Sequence, residues 1–287
     1  MANIPVMLYR LGFLCAAACL CAAVHGCDSD DTGGGTGGSG GTTSSGTGGT
    51  TSSGTGGGGG SVGGGGPNCT DPVDVPCSDD VILQLNLKPD PAPGTITNEP
   101  DGTGWVSHID ATAGGFGAPD PHAFVYGKFA DNGLEKVSIG DEDSLDSMDW
   151  DIAFRRYVAR INSGNSGPSC VQAGIAPGAY DDVTMVPAGF TFSTDSFFTQ
   201  SCTMIDDGTG LGSPDTVLSD YWTYTNCVSM TGDVFLLSLA DGRQVKLTVT
   251  HYYDHQLPSQ EQCDTNGSVT QSPSGSAVLR VRWAFIQ

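Results

Sequence analysis

The chain has 287 residues, 43 of them glycine, roughly twice the usual share. Eleven Lys and Arg stand against 32 Asp and Glu, a formal net charge of −21. A surface of that sign repels nucleic acid and anionic headgroups, which excludes both as partners.

In chain order, the first 26 residues carry a single charge, Arg10, followed by an apolar run from Leu11 to Val24. That run falls short of the ~20 residues that span a bilayer but suits the core of an export signal. It ends in Val24-His25-Gly26-Cys27, which resembles the lipobox of bacterial lipoproteins, so Cys27 is expected to be acylated and to form the mature N-terminus. Residues 1–26 therefore read as a signal peptide and 27–66 as a lipidated N-terminus with a linker. The only membrane contact expected is the lipid anchor, and the location expected is the outer membrane or cell surface.

Thr32 to Gly66 holds 20 of the 43 glycines, with Thr and Ser and a direct repeat, TTSSGTGG, at Thr42–Gly49 and Thr50–Gly57. No apolar side chain there can nucleate packing apart from Val62, so the tract reads as a flexible tether. The globular material is expected in residues 67–287, enough for one core-bearing domain.

Once the signal and Cys27 are set aside, Cys69, Cys77, Cys170, Cys202, Cys227 and Cys263 remain. An even number in an exported chain predicts three disulfides. Cys69 and Cys77 are the favoured local pair, although many connectivities are open. No Cys/His spacing of the zinc kind occurs, so no metal site is expected.

The domain reads as all-β, in antiparallel, sandwich-like sheets. Val81–Leu87, Trp105–Ile109, Phe124–Phe129 and Leu134–Ile139 are strand candidates between Gly, Pro and Asn punctuation. Trp150–Ile161 alternates, but its phase slips at Arg155–Arg156, which predicts a β-bulge in one strand. Val234–Leu239 and Gln244–Thr250 flank Asp241-Gly242, a hairpin signal. Leu279, Val281, Trp283 and Phe285 share one face of a last strand, with Arg280 and Arg282 on the other.

Asp149-Trp150-Asp151-Ile152-Ala153-Phe154-Arg155-Arg156-Tyr157 and then Arg160-Ile161-Asn162-Ser163-Gly164-Asn165-Ser166-Gly167 resemble the W-D-x-A-x-x-R-Y-x-x-R-x-N-x-G-x-S-G signature of the HmuY haem-binding lipoproteins. Phe124–Phe129 and the hairpin Val234–Tyr252 resemble flanking strands of that family, in the same order. The resemblance implies a β-rich extracytoplasmic domain that captures haem and passes it to an outer-membrane receptor, with the iron held by two side chains from the middle region, His or Met in the relatives.

No His lies between Asp181 and Asn226; the histidines beyond the signal are His108, His122, His251 and His255. The candidate haem ligands are therefore Met204, Tyr221, Tyr224 and His251, with Met185 a further donor of the same kind. Each has a plain structural counterpart: a gap-filling Met, core aromatics, a strand-end His bonded to a neighbour. The signature's own Trp-Asp and Arg-Tyr pieces read as structural, with Asp151 paired to an Arg.

The acidic run Asp141–Asp149 lacks the glycine and terminal Glu of an EF-hand loop and reads as a solvated loop. GxSxG and HExxH are absent, so no catalytic residue is named and a binder rather than an enzyme is expected. The competing expectation is a surface or adhesion-type lipoprotein that keeps the scaffold without haem ligands.

Overall fold

The computed structural model of the protein describes residues 69–115 and 117–287. The expected signal peptide, the acylation site Cys27 and the Gly/Ser/Thr linker lie outside the described residues. Among the described residues no helix is long and apolar enough to cross a membrane.

The elements in order are α1 (Ser78–Gln84), β1 (Ile96–Asp101), β2 (Gly104–Asp110), β3 (Val125–Ala130), β4 (Gly133–Val137), β5 (Ile152–Arg155), β6 (Val158–Ile161), β7 (Gln172–Ala176), β8 (Trp222–Tyr224), β9 (Val228–Met230), β10 (Val234–Ser238), β11 (Gln244–Tyr253), α2 (Ser259–Asn266) and β12 (Ser276–Ile286). They form a six-stranded sheet ordered β1-β2-β12-β11-β10-β7, a four-stranded sheet ordered β4-β3-β5-β6, and the small pair β8-β9. Every pairing between these strands is antiparallel.

The two larger sheets pack face to face. Alternation along β12 puts Leu279, Val281 and Trp283 into the core, where the Trp283 ring meets Phe129 of β3 edge-on at 4.8 Å. The Trp283 Nε1–H donates to Ser107 Oγ at 2.8 Å, which satisfies the polar end of a fully buried indole. Ile152, Phe154 and Ile161 of the four-stranded sheet join Ile109, Val245, Leu247 and Phe235 of the six-stranded sheet in this layer. The expected hairpin is present, with Asp241-Gly242 at its tip and Gly242 at φ 85°.

Two of the strand expectations fail for identifiable reasons. Val81–Leu87 is not a strand, because α1 occupies most of it. Val81, Leu83 and Leu85 alternate as a strand would, but Val81 and Leu85 also stand one helical turn apart. The helix, with Leu85 as its C-cap residue, buries those two and leaves Leu83 77% exposed. Asp79 and Asp80 sit in its first turn, where the helix dipole favours carboxylates. Asn86 at φ 50° stops it, a left-handed position that Asn tolerates.

The phase slip at Arg155–Arg156 is not a bulge. The chain reverses there, and β5 pairs with β6 through Phe154↔Ala159 and Ile152↔Ile161. Directly opposite residues share a face, so the core parity carries on into the second strand. Arg156 takes the turn at φ 55°.

All six expected cysteines are paired, as Cys69–Cys170, Cys77–Cys202 and Cys227–Cys263. The local pairing of Cys69 with Cys77 is overturned. The proline-containing stretch between them is held out along the domain, with Val73 N–H donating to Pro168 O at 2.9 Å. Each cysteine therefore reaches a different distant segment.

Candidate binding pocket

The signature residues build the scaffold under the site. Arg160 is fully buried; its Nη2 donates to the Tyr126 hydroxyl at 2.6 Å, and its guanidinium lies 4.1 Å from the Phe124 ring centroid. Arg155 stacks on the same ring at 4.2 Å and stands 3.7 Å from Asp141. Asp141 accepts from the Phe124 amide at 2.8 Å and the Tyr126 hydroxyl at 2.9 Å. The first residue of the acidic run is thus a buried acceptor, not a solvated one.

Asp151 was expected to meet an Arg and instead accepts the Phe129 amide at 2.9 Å. Burial pushes its carboxyl up to about 6, with the Phe129 amide opposing the shift. Asp195, outside the signature, is a second hub. It accepts from Ile161 N at 3.0 Å, Ser166 Oγ at 2.6 Å and Val217 N at 3.0 Å, and burial raises it to about 6 against those donors.

On this frame the tip of the β5–β6 hairpin, Arg156 and Tyr157, forms one wall of a cavity of about 310 Å³. Tyr252 and Tyr253 at the end of β11 form a second wall, and Leu211, Tyr224, Asn226 and Val228 close it from the middle region. Ser274 and Ser276 complete the rim. The rings of Tyr252 and Tyr253 meet edge-on at 5.0 Å. Val228 N–H donates to the Tyr253 hydroxyl at 3.1 Å. Burial raises the Tyr252 phenol, and the Arg156 side chain hydrogen-bonded to it acts the other way. Gln260 of α2 anchors this corner, accepting from Tyr252 N at 2.8 Å and donating to Val228 O at 3.4 Å. The Cys227–Cys263 bridge ties α2 to the residue just before β9.

Arg156 and Tyr157 also line a smaller cavity of about 210 Å³, with Arg155, Asn86 and Ser213. One guanidinium therefore faces two recesses in a strongly acidic chain. Phenol faces suit a flat ring system, the Arg suits its carboxylates, and a phenol oxygen is a hard donor for ferric iron. These residues fit a tetrapyrrole carrying carboxylates.

The four candidate ligands do not converge. Tyr224 stands at the pocket rim, 46% exposed. Tyr221 is buried and its hydroxyl donates to Tyr157 O at 2.9 Å; burial raises its phenol well above the usual value. Met204 packs against the separate cluster that contains Val81, Phe197 and Trp150. His251 is partly buried on β11, with Nδ1 3.1 Å from Thr250 Oγ1. Met185 is 63% exposed and outside the pocket. Sequence reasoning missed Arg156, Tyr157, Tyr252 and Tyr253 as site residues. The signal that could have found them was the phase slip itself, which places an Arg-Tyr pair at a hairpin tip.

The sequence profile of the HmuY family, described as HmuY protein, matches residues 120–266. That span includes the signature, the middle region and the β10–β11 hairpin, and the chain belongs to the HmuY family. Among solved structures it is similar to a HmuY-like haem-binding protein of Bacteroides vulgatus ATCC 8482, at 15% identity over 64% of this chain and 93% of that one, TM-score 0.40. It is also similar to a lipoprotein of Bacteroides fragilis NCTC 9343, at 14% identity over 66% and 91%, TM-score 0.39. A third is the apo HmuY analog of Tannerella forsythia, at 14% identity over 69% and 99%, TM-score 0.34. No curated protein matches the chain closely enough to count as a relative.

Proposed function

We propose that this protein is an exported lipoprotein whose β domain, residues 67–287, binds haem or a related tetrapyrrole in the tyrosine-lined pocket. It does so as a binder rather than an enzyme, and presents its cargo to an outer-membrane receptor. The observation that carries this reading is the pocket composition: Tyr157, Tyr224, Tyr252 and Tyr253 around one recess, with Arg156 at its wall. Tyr224 is the iron donor in this reading, Arg156 pairs with a carboxylate of the macrocycle, and the other phenols flank the ring. Membership of the family and the suitability of the phenols and of Arg156 for a flat ring and its carboxylates support it. The lipid anchor at Cys27 and a surface location follow from the N-terminal sequence.

A haem titration of the purified protein tests the reading. The expected result is a saturable Soret shift that weakens in both Tyr224→Phe and Arg156→Gln. No shift with either ferric or ferrous iron overturns it. One observation favours the competing reading of a surface or adhesion-type module without cofactor: of Met204, Tyr221, Tyr224 and His251, only Tyr224 lines the pocket. The absence of a shift is the outcome that alternative expects.

A further inference from the structure

A second group of titratable side chains lies on the face of the six-stranded sheet turned away from the core. Strand register sets His108 of β2 beside Arg280 of β12, and Arg280 beside His251 of β11. His255, in the turn after β11, lays its ring on that of His108, with centroids 4.2 Å apart and planes inclined by 39°. The His108 side chain is only 11% exposed, and neither ring nitrogen has a hydrogen-bond partner among the described residues. Burying an imidazole with both nitrogens unmet costs stability. The stacked His255 ring and the Glu99 carboxylate, 3.7 Å from Nε2, are the contacts that face it.

The turn bearing His255 backs onto the tyrosine pocket. Asp254 N–H donates to Gly275 O at 2.8 Å, and Leu257 N–H to Asp254 O at 2.9 Å. A Cβ on Gly275 would come within 2.7 Å of Asp254 Cβ and 2.9 Å of Leu257 Cδ1. The turn thus abuts Gly275, and the residues on either side of that glycine, Ser274 and Ser276, line the pocket.

We propose that the His108–His255 stack is an acid-released latch: protonation drives the Asp254–Leu257 turn off the sheet and loosens the Ser274–Ser276 wall of the pocket. As a trigger for ligand release, the latch rests on the tetrapyrrole reading; as a conformational switch it stands without it.

A proton on the His108 ring puts a cation against the stacked His255 with the Arg280 guanidinium beside it. Burial, then His255 and Arg280, lower the pKa of His108, and Glu99 opposes. Burial, then Arg280 and His255, lower that of His251, and Asp264 of α2 opposes. Two carboxylates face the stack and work against release: Glu99 of β1, 3.7 Å from His108 Nε2, and Asp254, 3.7 Å from His255 Nδ1. The Glu99 side chain is 69% exposed, so solvent and salt screen it.

Hydrogen exchange of the full-length protein, corrected for intrinsic rates and followed by mass spectrometry, tests the latch without ligand. Between about pH 7.5 and about pH 5.5, exchange across 252–258 and 272–277 is expected to rise roughly tenfold relative to β10 and the first half of β11. In His255→Gln, whose side chain is partly exposed in the parent, that pH response is expected to shrink severalfold, because the stacked cation pair is gone while the burial of His108 remains. An unchanged response in His255→Gln, or a flat one in the parent, overturns the proposal.

A parallel haem titration separates the two readings. Affinity about tenfold weaker at the lower pH in the parent, and not in His255→Gln, supports the release role. Equal weakening in both proteins overturns that role. Absence of haem binding at either pH counts against the tetrapyrrole reading and the release role, while the exchange result alone decides the latch.

Discussion

The Tyr221 hydroxyl donates to the Tyr157 carbonyl oxygen across 2.9 Å, so a fully buried phenol fixes the hairpin tip from which Arg156 and Tyr157 face the pocket. Tyr221 and Tyr224 stand three residues apart and have opposite assignments, one holding the wall and the other meeting the ligand. Tyr221→Phe leaves the Tyr157 carbonyl without its donor and should lower unfolding free energy by about 1–3 kcal/mol. Tyr224→Phe should change it by no more than ~0.5 kcal/mol while removing the proposed iron donor. Urea unfolding and haem titration of both variants separate the two roles.

The link Asp141–Tyr126–Arg160 puts a guanidinium at 0% exposure with Tyr126 as its hydrogen-bonded partner. Tyr126→Phe removes that hydroxyl while retaining the ring. Arg160 Nη2 and the Asp141 carboxylate then each lose their hydrogen bond to that hydroxyl, and a loss of about 1–3 kcal/mol is expected. A Phe variant as stable as the parent would mean that stacking on Phe124 and the nearby Asp195 carboxylate sustain the buried charge without the hydroxyl.

Asp151 belongs to the family signature, yet it is ionised at neutral pH only against its burial. Its carboxyl is raised from an ordinary 3.8 to about 6. The folded state therefore binds the proton more tightly than the unfolded one. The resulting stability is fully present below the ordinary value and is lost as pH rises through about 6. Asp151→Asn can still accept the Phe129 amide and carries no charge, so it should be more stable than the parent at pH 7, by on the order of 1–3 kcal/mol. The difference should close as pH falls toward about 4. Urea unfolding midpoints across that range check the sign.

Val81 of α1 and Leu85, its C-cap residue, are buried and Leu83 is not. Leu83→Lys should therefore stay within about 0.5 kcal/mol of the parent, whereas Leu85→Ala should cost about 2–5 kcal/mol. A strand at these residues would put Leu83 and Leu85 on the same face and make both substitutions costly.

Sequence alone made the β architecture legible wherever one face is wet, because period-2 alternation then has contrast. The β10–β11 hairpin and β12 are of that kind, with Arg280 and Arg282 marking the outer face. Alternation was misleading at Val81–Leu87, where a seven-residue helix is too short to display its own period. At Trp150–Ile161 the slip was visible, but a bulge and a two-residue turn shift parity alike. Distinguishing them requires knowing which residues oppose one another. The pocket was the least legible part, since its walls come from hairpin tips and strand ends far apart in sequence. Tyr224 was reachable as a middle-region aromatic, while Tyr252 and Tyr253 look like ordinary strand residues until Gln260 and Arg156 are seen against them.

The three disulfides also define how the domain would carry mechanical load. Two of them close loops with separations of 101 and 125 residues, and the third closes one of 36. A pull applied at Cys69 and at the C-terminal end would pass from Cys77 straight to Cys202 and from Cys227 straight to Cys263. The chain could lengthen only through 69–77, 202–227 and 263–287. Apart from β8 and β12, every strand lies inside a covalently closed loop, out of the line of tension. A domain held by one end against flow or a moving partner could stretch at its seams while the paired strands within the loops stayed unextended.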